Sequence, residues 1–531
     1  MAGYSIIIKN GIVFDGKGNK PENVDIGIVG DEIKEIGDLS NEIATEIIDA
    51  GGKYVAPGFI DLTNHSDTHW TIFSYPSQEG LLRQGITTIL GGSCGSSLAP
   101  LIRESDIEEI RRWMDVSGMN INWRTMSEFL SEIEKHKMGV NFCTLVGFNT
   151  IQQSVLGGES RTPTLEEINQ MKFLFRSSLE DGAFGISAHF GLSSARLLES
   201  DEAADLFKVV KKYNAIIKHH PENEGEDLLP SISRIISIAR KSGTKTHITH
   251  FKALGRASWP MFPNAIEMIK NAINEGVSLT CDFFPYTKTG SKLITLLPSW
   301  FRKLSNKESL NILKSKDDPK RKILIDHLKG FTLHYDKITI ASGGGLGIAG
   351  KTVEELSAVT GLSREEIILK LLETNDLRVS IFSEVISEEN IELIAKEKFS
   401  AIASDGIGYS LPISSLGENR QDLPHPRSFG AFPKAFNLLV KQKKILPWET
   451  LIYKMTGLPA GILGLKNRGV IAKGNKADIV IFDPSEISDF ATYDNPFRYS
   501  KGISDILVNG IIVLSEGEFI KEFAGRVLRR T

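Results

Sequence analysis

Short apolar runs that end in histidine alternate with amphipathic segments through the middle of the chain. Residues 216–220 and 246–250 are runs of the first kind, whereas 201–213, 228–242 and 261–275 have the spacing of helices that bury one face. Strands that alternate with helices form a parallel sheet, which is either closed into a barrel or left open. In a barrel of this type the catalytic groups gather at the carboxyl ends of the strands. The sequence therefore predicts an α/β fold with its chemistry at one end of the sheet.

The two ends of the chain have a different pattern, in which β-branched runs alternate with turns. Residues 5–8, 12–14 and 24–29 share this pattern with residues 477–483 and 505–513. Because a different pattern lies between them, we predict that both ends form one discontinuous small sheet domain.

This organisation predicts two domains. Residues 1–56 and 465–531 would form the small β-domain, and residues 57–464 the larger barrel domain. Within the larger domain, the segment 288–336 is more basic and has helical stretches of its own. We interpret it as an insertion that could cover the mouth of the site as a lid.

Size and charge restrict the class of partner. The chain has 531 residues, a net charge of -4 and a sequence pI near 6.3, which suits a large enzyme scaffold. Because no long basic run is present, we expect a small molecule as the partner, and neither nucleic acid nor a membrane surface. The first residues lack the features of a secretory signal and no stretch is apolar for long enough to cross a bilayer, so we expect a cytoplasmic protein. The cysteines Cys94, Cys143 and Cys281 are too few for a disulfide framework.

Three strand-like runs end in side chains that bind metal ions. Cys94, His220 and His250 each follow such a run. Zinc accepts thiolate and imidazole ligands in tetrahedral sets, and a catalytic zinc site leaves one position open for water. A single cysteine or histidine near a strand end is usually structural, but the shared placement of all three predicts a zinc site.

Two further residues are candidates for the reaction itself. Asp405 follows the run 399–404 and precedes a glycine. A carboxylate there can take a proton from zinc-activated water, whose pKa is roughly 7, and pass it to the leaving amine; the alternative is a helix N-cap or turn aspartate. Arg427 lies in a proline-stiffened loop, where it either holds a substrate carboxylate through two parallel hydrogen bonds or is simply solvated.

Together these segments resemble the N-acyl-D-amino-acid deacylases (D-aminoacylases) of the amidohydrolase superfamily. The resemblance runs almost from end to end and rests on residues 56–67, 84–100, 220–225, 249–252, 282–287, 296–300, 404–406, 425–427 and 455–478. It implies a (β/α)₈ TIM-like metal-dependent hydrolase barrel with a small β-sandwich domain formed by both termini. It also implies that Asp405 is the general base and acid, and that Lys252, Tyr286 and Arg427 bind a substrate carboxylate.

The function implied by the resemblance is zinc-dependent hydrolysis of the amide bond of N-acyl-D-amino acids, with a metal-bound water as the nucleophile. One tightly bound zinc ion is expected at Cys94, His220 and His250, and His65 is a further candidate ligand. The family usually has a His-x-His pair in the segment 56–67, whereas this chain has Thr63 followed by His65. A threonine hydroxyl is a poor zinc ligand, so a second metal site is not expected.

The departures from the family leave two other functions open. Glu222 stands where the family usually has arginine, and Phe148 where a histidine is common. A cyclic amide, as in hydantoinases and dihydropyrimidinases, is one alternative substrate, because fold and metal do not fix the substrate. The other alternative is a catalytically inactive metal-binding scaffold, which Thr63 favours and the retained zinc ligands and Asp405 disfavour.

Overall fold

The computed structural model describes residues 3–103, 106, 120–157, 159, 161–192, 198–302, 304, 306–330, 334–343, 347–411, 423–520 and 523–530. The strands of these residues are, in chain order, β1 (Tyr4–Lys9), β2 (Ile12–Val13), β3 (Glu22–Asn23), β4 (Asp25–Val29), β5 (Glu32–Gly37), β6 (Ala44–Asp49), β7 (Tyr54–Pro57), β8 (Phe59–Asp61), β9 (Ile86–Gly91), β10 (Asn141–Thr144), β11 (Val146–Gly147), β12 (Gly185–Ala188), β13 (Ile216–His219), β14 (Lys245–Ile248), β15 (Leu279–Phe283), β16 (Lys288–Lys292), β17 (Ile338–Ser342), β18 (Ser380–Glu384), β19 (Ser400–Ile402), β20 (Ile479–Phe482), β21 (Ile503–Val508), β22 (Ile511–Ser515) and β23 (Glu518–Phe519).

The helices are distributed between these strands. Within the same described residues the α-helices are Thr71–Ser74, Glu79–Leu82, Met126–His136, Phe148–Leu156, Leu165–Glu180, Ser200–Lys211, Leu228–Ser242, Phe262–Asn274, Ser299–Arg302, Asn306–Lys314, Pro319–Gly330, Val353–Thr360, Arg364–Thr374, Glu388–Lys396, Arg427–Ala435, Trp448–Met455 and Gly457–Leu463. A π-helix, Phe436–Gln442, continues from one of them. None of the described helices is both long and apolar enough to cross a membrane.

Eight parallel strands close into a barrel. β8 pairs with β9 and β9 with β10, and after Leu145 the chain continues from β10 into β11 as one interrupted strand. From β11 the order continues through β12, β13, β14, β15 and β19. The circle closes because Asn64, beyond β8, forms a parallel bridge with Gly406, beyond β19, and the Asp405 amide donates to the Thr63 carbonyl at 2.9 Å. Both strand ends therefore meet at the place where the candidate site lies.

The barrel strands are apolar along their length because both of their faces are covered. All residues of β9, β12 and β13 are buried, as in parallel sheets that carry helices outside and side chains inside. The predicted helices appear as Ser200–Lys211, Leu228–Ser242 and Phe262–Asn274, so the predicted alternation of strand and helix is confirmed.

Both ends of the chain build one small β-sandwich. One sheet has the order β5-β4-β1-β6, and the other, β23-β22-β21-β20-β7-β2-β3, combines strands from the start and the end of the chain. Ile26 and Ile28 of the first sheet belong to the same buried cluster as Ile479, Ile481 and Leu507 of the second. The predicted fold class is thus confirmed, while the exact domain boundaries stay a prediction.

A third unit lies between β15 and β19. Its antiparallel sheet has the order β16-β18-β17, and it has a hydrophobic cluster of its own that includes Phe301, Leu324 and Ile381. The segment predicted as the insertion 288–336 is therefore part of a folded unit that continues to Glu384. Its function as a lid stays a prediction.

Candidate metal centre and active site

Four of the predicted site residues lie just beyond the carboxyl ends of barrel strands. Cys94 follows β9, His220 follows β13, His250 follows β14 and Asp405 follows β19. The φ values of Cys94, His250 and Asp405 are 55°, 36° and 50°, in the left-handed region that residues other than glycine rarely adopt. Backbone strain of this kind persists where the surrounding structure enforces it, and it is concentrated at functional sites. The strained backbone therefore indicates a functional site at the same end of the barrel as the candidate side chains.

Cys94, His220 and His250 come together as a candidate metal-binding group. One ligand atom from each lies within 4.8 Å of the other two. His220 Nδ1 is 3.3 Å from Cys94 Sγ, and His250 Nε2 is 3.6 Å from the same sulfur. Zinc–sulfur bonds of about 2.3 Å and zinc–nitrogen bonds of about 2.0 Å, at tetrahedral angles, separate such atoms by about 3.5 Å. The donor atoms and their spacing fit one zinc ion.

The electrostatic surroundings favour the metal-binding forms of two of these side chains. Burial alone raises the pKa of Cys94, but hydrogen bonds and charges from His250 and His65 outweigh burial and lower that pKa to about 6. The thiolate, which binds zinc, is therefore accessible at neutral pH. Burial and the nearby positive charges lower the pKa of His220 well below 6.5, which keeps its ring neutral, as coordination requires.

The other ring nitrogen of His250 is held by Glu224, a residue that the sequence analysis did not assign to the site. His250 Nδ1 lies 3.1 Å from Glu224 Oε1. A carboxylate in this position fixes the orientation of a ligand histidine and makes it a stronger donor. Against the effects of burial and of Lys252, the charges of Glu224 and Asp405 raise the pKa of His250 to about 9. Zinc binding would consequently displace a proton from this ring.

Glu224→Gln is expected to weaken zinc binding about tenfold or more, because partners of this kind contribute roughly 10- to 100-fold to metal affinity. Competition with a chromophoric chelator measures the affinity. The matched control is Glu222→Gln, since Glu222 pairs with Arg234 at 2.8 Å and should leave the affinity unchanged. Equal zinc affinity in wild-type and Glu224→Gln proteins would show that Glu224 does not support a ligand.

Asp405 is held between a histidine and an arginine. Its Oδ1 lies 3.0 Å from His65 Nε2, and its Oδ2 lies 2.7 Å from Arg427 Nη1. Burial alone raises the pKa of Asp405, but the charges of Arg427 and His250 and the hydrogen bond from His65 hold it well below 3.8. At neutral pH Asp405 is therefore a carboxylate, the form that a general base requires.

His65, the further candidate ligand, lies outside the group formed by Cys94, His220 and His250. Its Nε2 faces Asp405. Burial alone lowers the pKa of His65, but the hydrogen bonds to Asp405 and Cys94 outweigh burial and raise the pKa to about 10. The structure thus presents His65 as a cationic partner of Asp405, and its role as a ligand stays a hypothesis.

The three predicted substrate-binding residues have different surroundings. Lys252 is 7 % exposed, and its Nζ lies 2.5 Å from Glu224 Oε1 and 2.8 Å from His250 Nδ1. Its charge is therefore already paired behind His250. Tyr286 is 4 % exposed, and its hydroxyl has no hydrogen-bond partner among the described residues.

Arg427 also has unused donors. Its ion pair with Asp405 is close, yet Nε and Nη1 have no aligned hydrogen-bond acceptor among the residues that the structure describes. The Arg427 backbone amide donates to His425 Nδ1 at 3.1 Å, and the Tyr286 ring packs edge-on against the His425 ring, so both residues lie beside His425. Buried polar atoms are normally paired, and these two residues therefore indicate where a polar ligand group could bind.

Comparisons with known proteins show which proteins this chain resembles. The model of the Amidohydrolase family matches residues 423–514. D-aminoacylase from Alcaligenes xylosoxydans xylosoxydans is 27% identical over 529 residues, which cover 99% of this chain and 98% of that protein. N-acyl-D-glutamate deacylase from the same organism is 28% identical, with 99% and 96% covered. A crystal structure of D-aminoacylase has a TM-score of 0.82 and 26% identity, and the match covers 99% of this chain and 100% of that one.

The barrel, the sandwich and the full-length relatives define the chain as a metal-dependent amidohydrolase. Within that class it is similar over almost its whole length to D-aminoacylase and N-acyl-D-glutamate deacylase. The resemblance to D-aminoacylases predicted from the sequence is thereby confirmed.

Proposed function

We propose that this protein hydrolyses the amide bond of N-acyl-D-amino acids at a single zinc site. Cys94, His220 and His250 would hold the ion, and Asp405 would act as general base and acid. The observation that carries the proposal is the convergence of three zinc-type donors beside an ionised, buried Asp405. Two of the full-length relatives are named N-acyl-D-glutamate deacylase and N-acyl-D-aspartate deacylase, which supports N-acyl-D-amino acids as the substrate class here.

The residues of the chain account for the movement of the proton. A zinc ion in this site supplies polarisation of the amide carbonyl and acidification of the attacking water. Asp405 takes one proton from that water while the water oxygen bonds to the carbonyl carbon. Asp405 then gives the proton to the amide nitrogen as the C–N bond breaks, which releases the acyl group as a carboxylic acid and a free amino acid. His65 and Arg427 each contact one oxygen of Asp405 and so orient the carboxylate.

The open donors of Arg427 and Tyr286 fit the carboxylate of the substrate. A guanidinium has five N–H donors, so the contact of Nη1 with Asp405 leaves other donors for a second carboxylate. The Tyr286 hydroxyl can add another hydrogen bond. This arrangement would place the free carboxylate of the amino acid on the Arg427 side, with the acyl amide between Asp405 and the zinc ligands.

Tyr286→Phe is expected to raise KM for N-acyl-D-amino acids about 10- to 150-fold and to leave the zinc content unchanged. The change removes one hydrogen bond to a charged group, which typically contributes about 1.5–3 kcal/mol. Steady-state kinetics measure KM, and Tyr493→Phe is the matched control because the Tyr493 hydroxyl is engaged by the backbone of Lys288. If both tyrosine variants kept the wild-type KM, Tyr286 would have no part in binding the carboxylate.

A panel of substrates tests the proposed reaction against its alternatives. Zinc-loaded protein is incubated with N-acetyl-D-amino acids, their L enantiomers, hydantoin and dihydrouracil, with Asp405→Asn as the blank. Amine release from the D compounds, lost in the blank, is the expected result. Ring opening without amine release would instead favour a cyclic amidase, and no turnover by zinc-containing protein would favour a scaffold.

A further inference from the structure

We propose that the ammonium group of Lys218 occupies the position of a second metal ion and prevents such an ion from binding. This inference rests on the proposed zinc site of Cys94, His220 and His250. Lys218 lies two positions before His220 in the same extended segment, so the two side chains project to the same side of the barrel wall. Lys218 is fully buried, with 0 % of its surface exposed.

The groups that surround the Lys218 ammonium are hydrogen-bond acceptors suited to a cation. Nζ donates to the Leu62 carbonyl, to Thr63 Oγ1 at 2.6 Å and to Ser93 Oγ at 3.2 Å. The Thr63 hydroxyl donates its own proton to Asp282 Oδ2 at 2.5 Å, so its oxygen must accept from Lys218. Three oxygen acceptors match the three donors of an ammonium group.

A carboxylate balances the buried charge. Asp282 Oδ2 lies 3.8 Å from Lys218 Nζ and 2.8 Å from His247 Nε2, while Asp282 Oδ1 accepts from the His250 amide at 2.5 Å. A buried charge is stable only when it is paired and hydrogen-bonded. The carboxylate that pairs with Lys218 therefore also fixes the backbone of a proposed zinc ligand.

Lys218 takes up the space that a metal-binding residue at position 63 would need. An imidazole at this position would extend past the site of Thr63 Oγ1, and Nζ already lies 2.6 Å from that atom. The remaining groups on this side, His65 and Asp405, are engaged with each other. A divalent ion would thus meet a buried ammonium at short range, where the repulsion is weakly screened.

This arrangement predicts a difference from a known relative. One solved structure of D-aminoacylase concerns a binuclear metal center, with "one-metal activation and second-metal attenuation". In the present chain the Lys218 ammonium would take the place of the second metal ion. Because it is part of a side chain, it could not dissociate. We therefore expect that excess zinc does not attenuate the present enzyme through a second site at Lys218.

The test is the zinc stoichiometry of metal-free protein, measured by calorimetric titration and by metal analysis after removal of free zinc. Wild-type protein should stop at one equivalent, whatever the excess. The variant Thr63→His/Lys218→Ser removes the ammonium and restores an imidazole, and it should bind two equivalents. Lys454→Met is the matched control, because Lys454 is also a buried lysine, with Nζ bonded to Ser400 O and Oγ at 2.9 and 3.0 Å, and it should bind one.

Two results would overturn the inference: a second equivalent in wild-type protein, or a single equivalent in a double variant whose thermal unfolding shows that it is folded. The wild-type titration needs no variant, so the inference remains testable if the double variant misfolds. A wrong assignment of the zinc site is detected separately. In that case the Cys94→Ala protein would bind as much zinc as the wild-type protein. Zinc inhibition of the double variant, and not of the wild type, is the expected effect on activity.

Discussion

Cys94→Ala is expected to lose tightly bound zinc and about a thousandfold in kcat. The change removes the only thiolate of the Cys94, His220 and His250 group. It also removes the sulfur that contacts both histidine rings. Loss of the electrophile costs several kcal/mol of transition-state stabilisation, and a thousandfold corresponds to about 4 kcal/mol. Metal analysis of dialysed protein and steady-state kinetics measure both effects.

Cys143→Ala is the matched control for this prediction. Cys143 is buried in β10, and burial raises the pKa of its thiol to about 12, so it is a neutral packing residue. Its replacement should leave the zinc content unchanged. A Cys94→Ala protein that kept both its zinc and its rate would remove Cys94 from the metal site and with it the proposed mechanism.

Asp405→Asn is expected to lower kcat by about 100- to 10,000-fold, the usual contribution of general acid–base catalysis. The amide keeps the shape of the side chain but cannot take the proton of the attacking water. Because Asp405 is outside the group of zinc donors, the zinc content should stay at the wild-type value. A kcat within tenfold of wild type, in a protein that retains zinc, would assign the proton transfer to another residue.

The candidate ligands could be predicted because their position follows from simple geometry. Parallel strands in a barrel have their carboxyl ends at one edge, so Cys94, His220 and His250 are brought together although up to 156 residues separate them. Asp405 follows the same rule at the end of β19. For these residues the chemical type and the place in the strand pattern were sufficient.

The supporting residues could not be predicted in the same way. Lys218 contacts Thr63 across 155 positions and Glu224 contacts His250 across 26, and no local pattern identifies these pairs. The loss of a histidine at position 63 was visible in the sequence, but the lysine that fills the space was not. The one available indication was the spacing of two residues between Lys218 and His220, which places their side chains on the same face of a strand.

Lys252 shows a limit of prediction from the resemblance of this chain to a family. The resemblance implied that it binds a substrate carboxylate, which stays a prediction, but it did not indicate that the ammonium contacts Glu224. The third unit shows a similar limit, because its core combines Leu293 and Phe301 with Ile381. Hydrophobic contacts over such a distance in the chain extend the unit well past the basic segment that suggested it.

Activity during zinc reconstitution shows whether the protein is a D-selective hydrolase that works with one zinc ion. Metal-free protein is titrated with zinc, and amine release from N-acetyl-D- and N-acetyl-L-amino acids is followed at each addition. We expect hydrolysis of the D compounds to rise in proportion to zinc and to reach its plateau at one equivalent, with little release from the L compounds. Activity that requires a second equivalent, or protein that binds one zinc ion and releases no amine, would rule out a hydrolase with a single catalytic zinc ion.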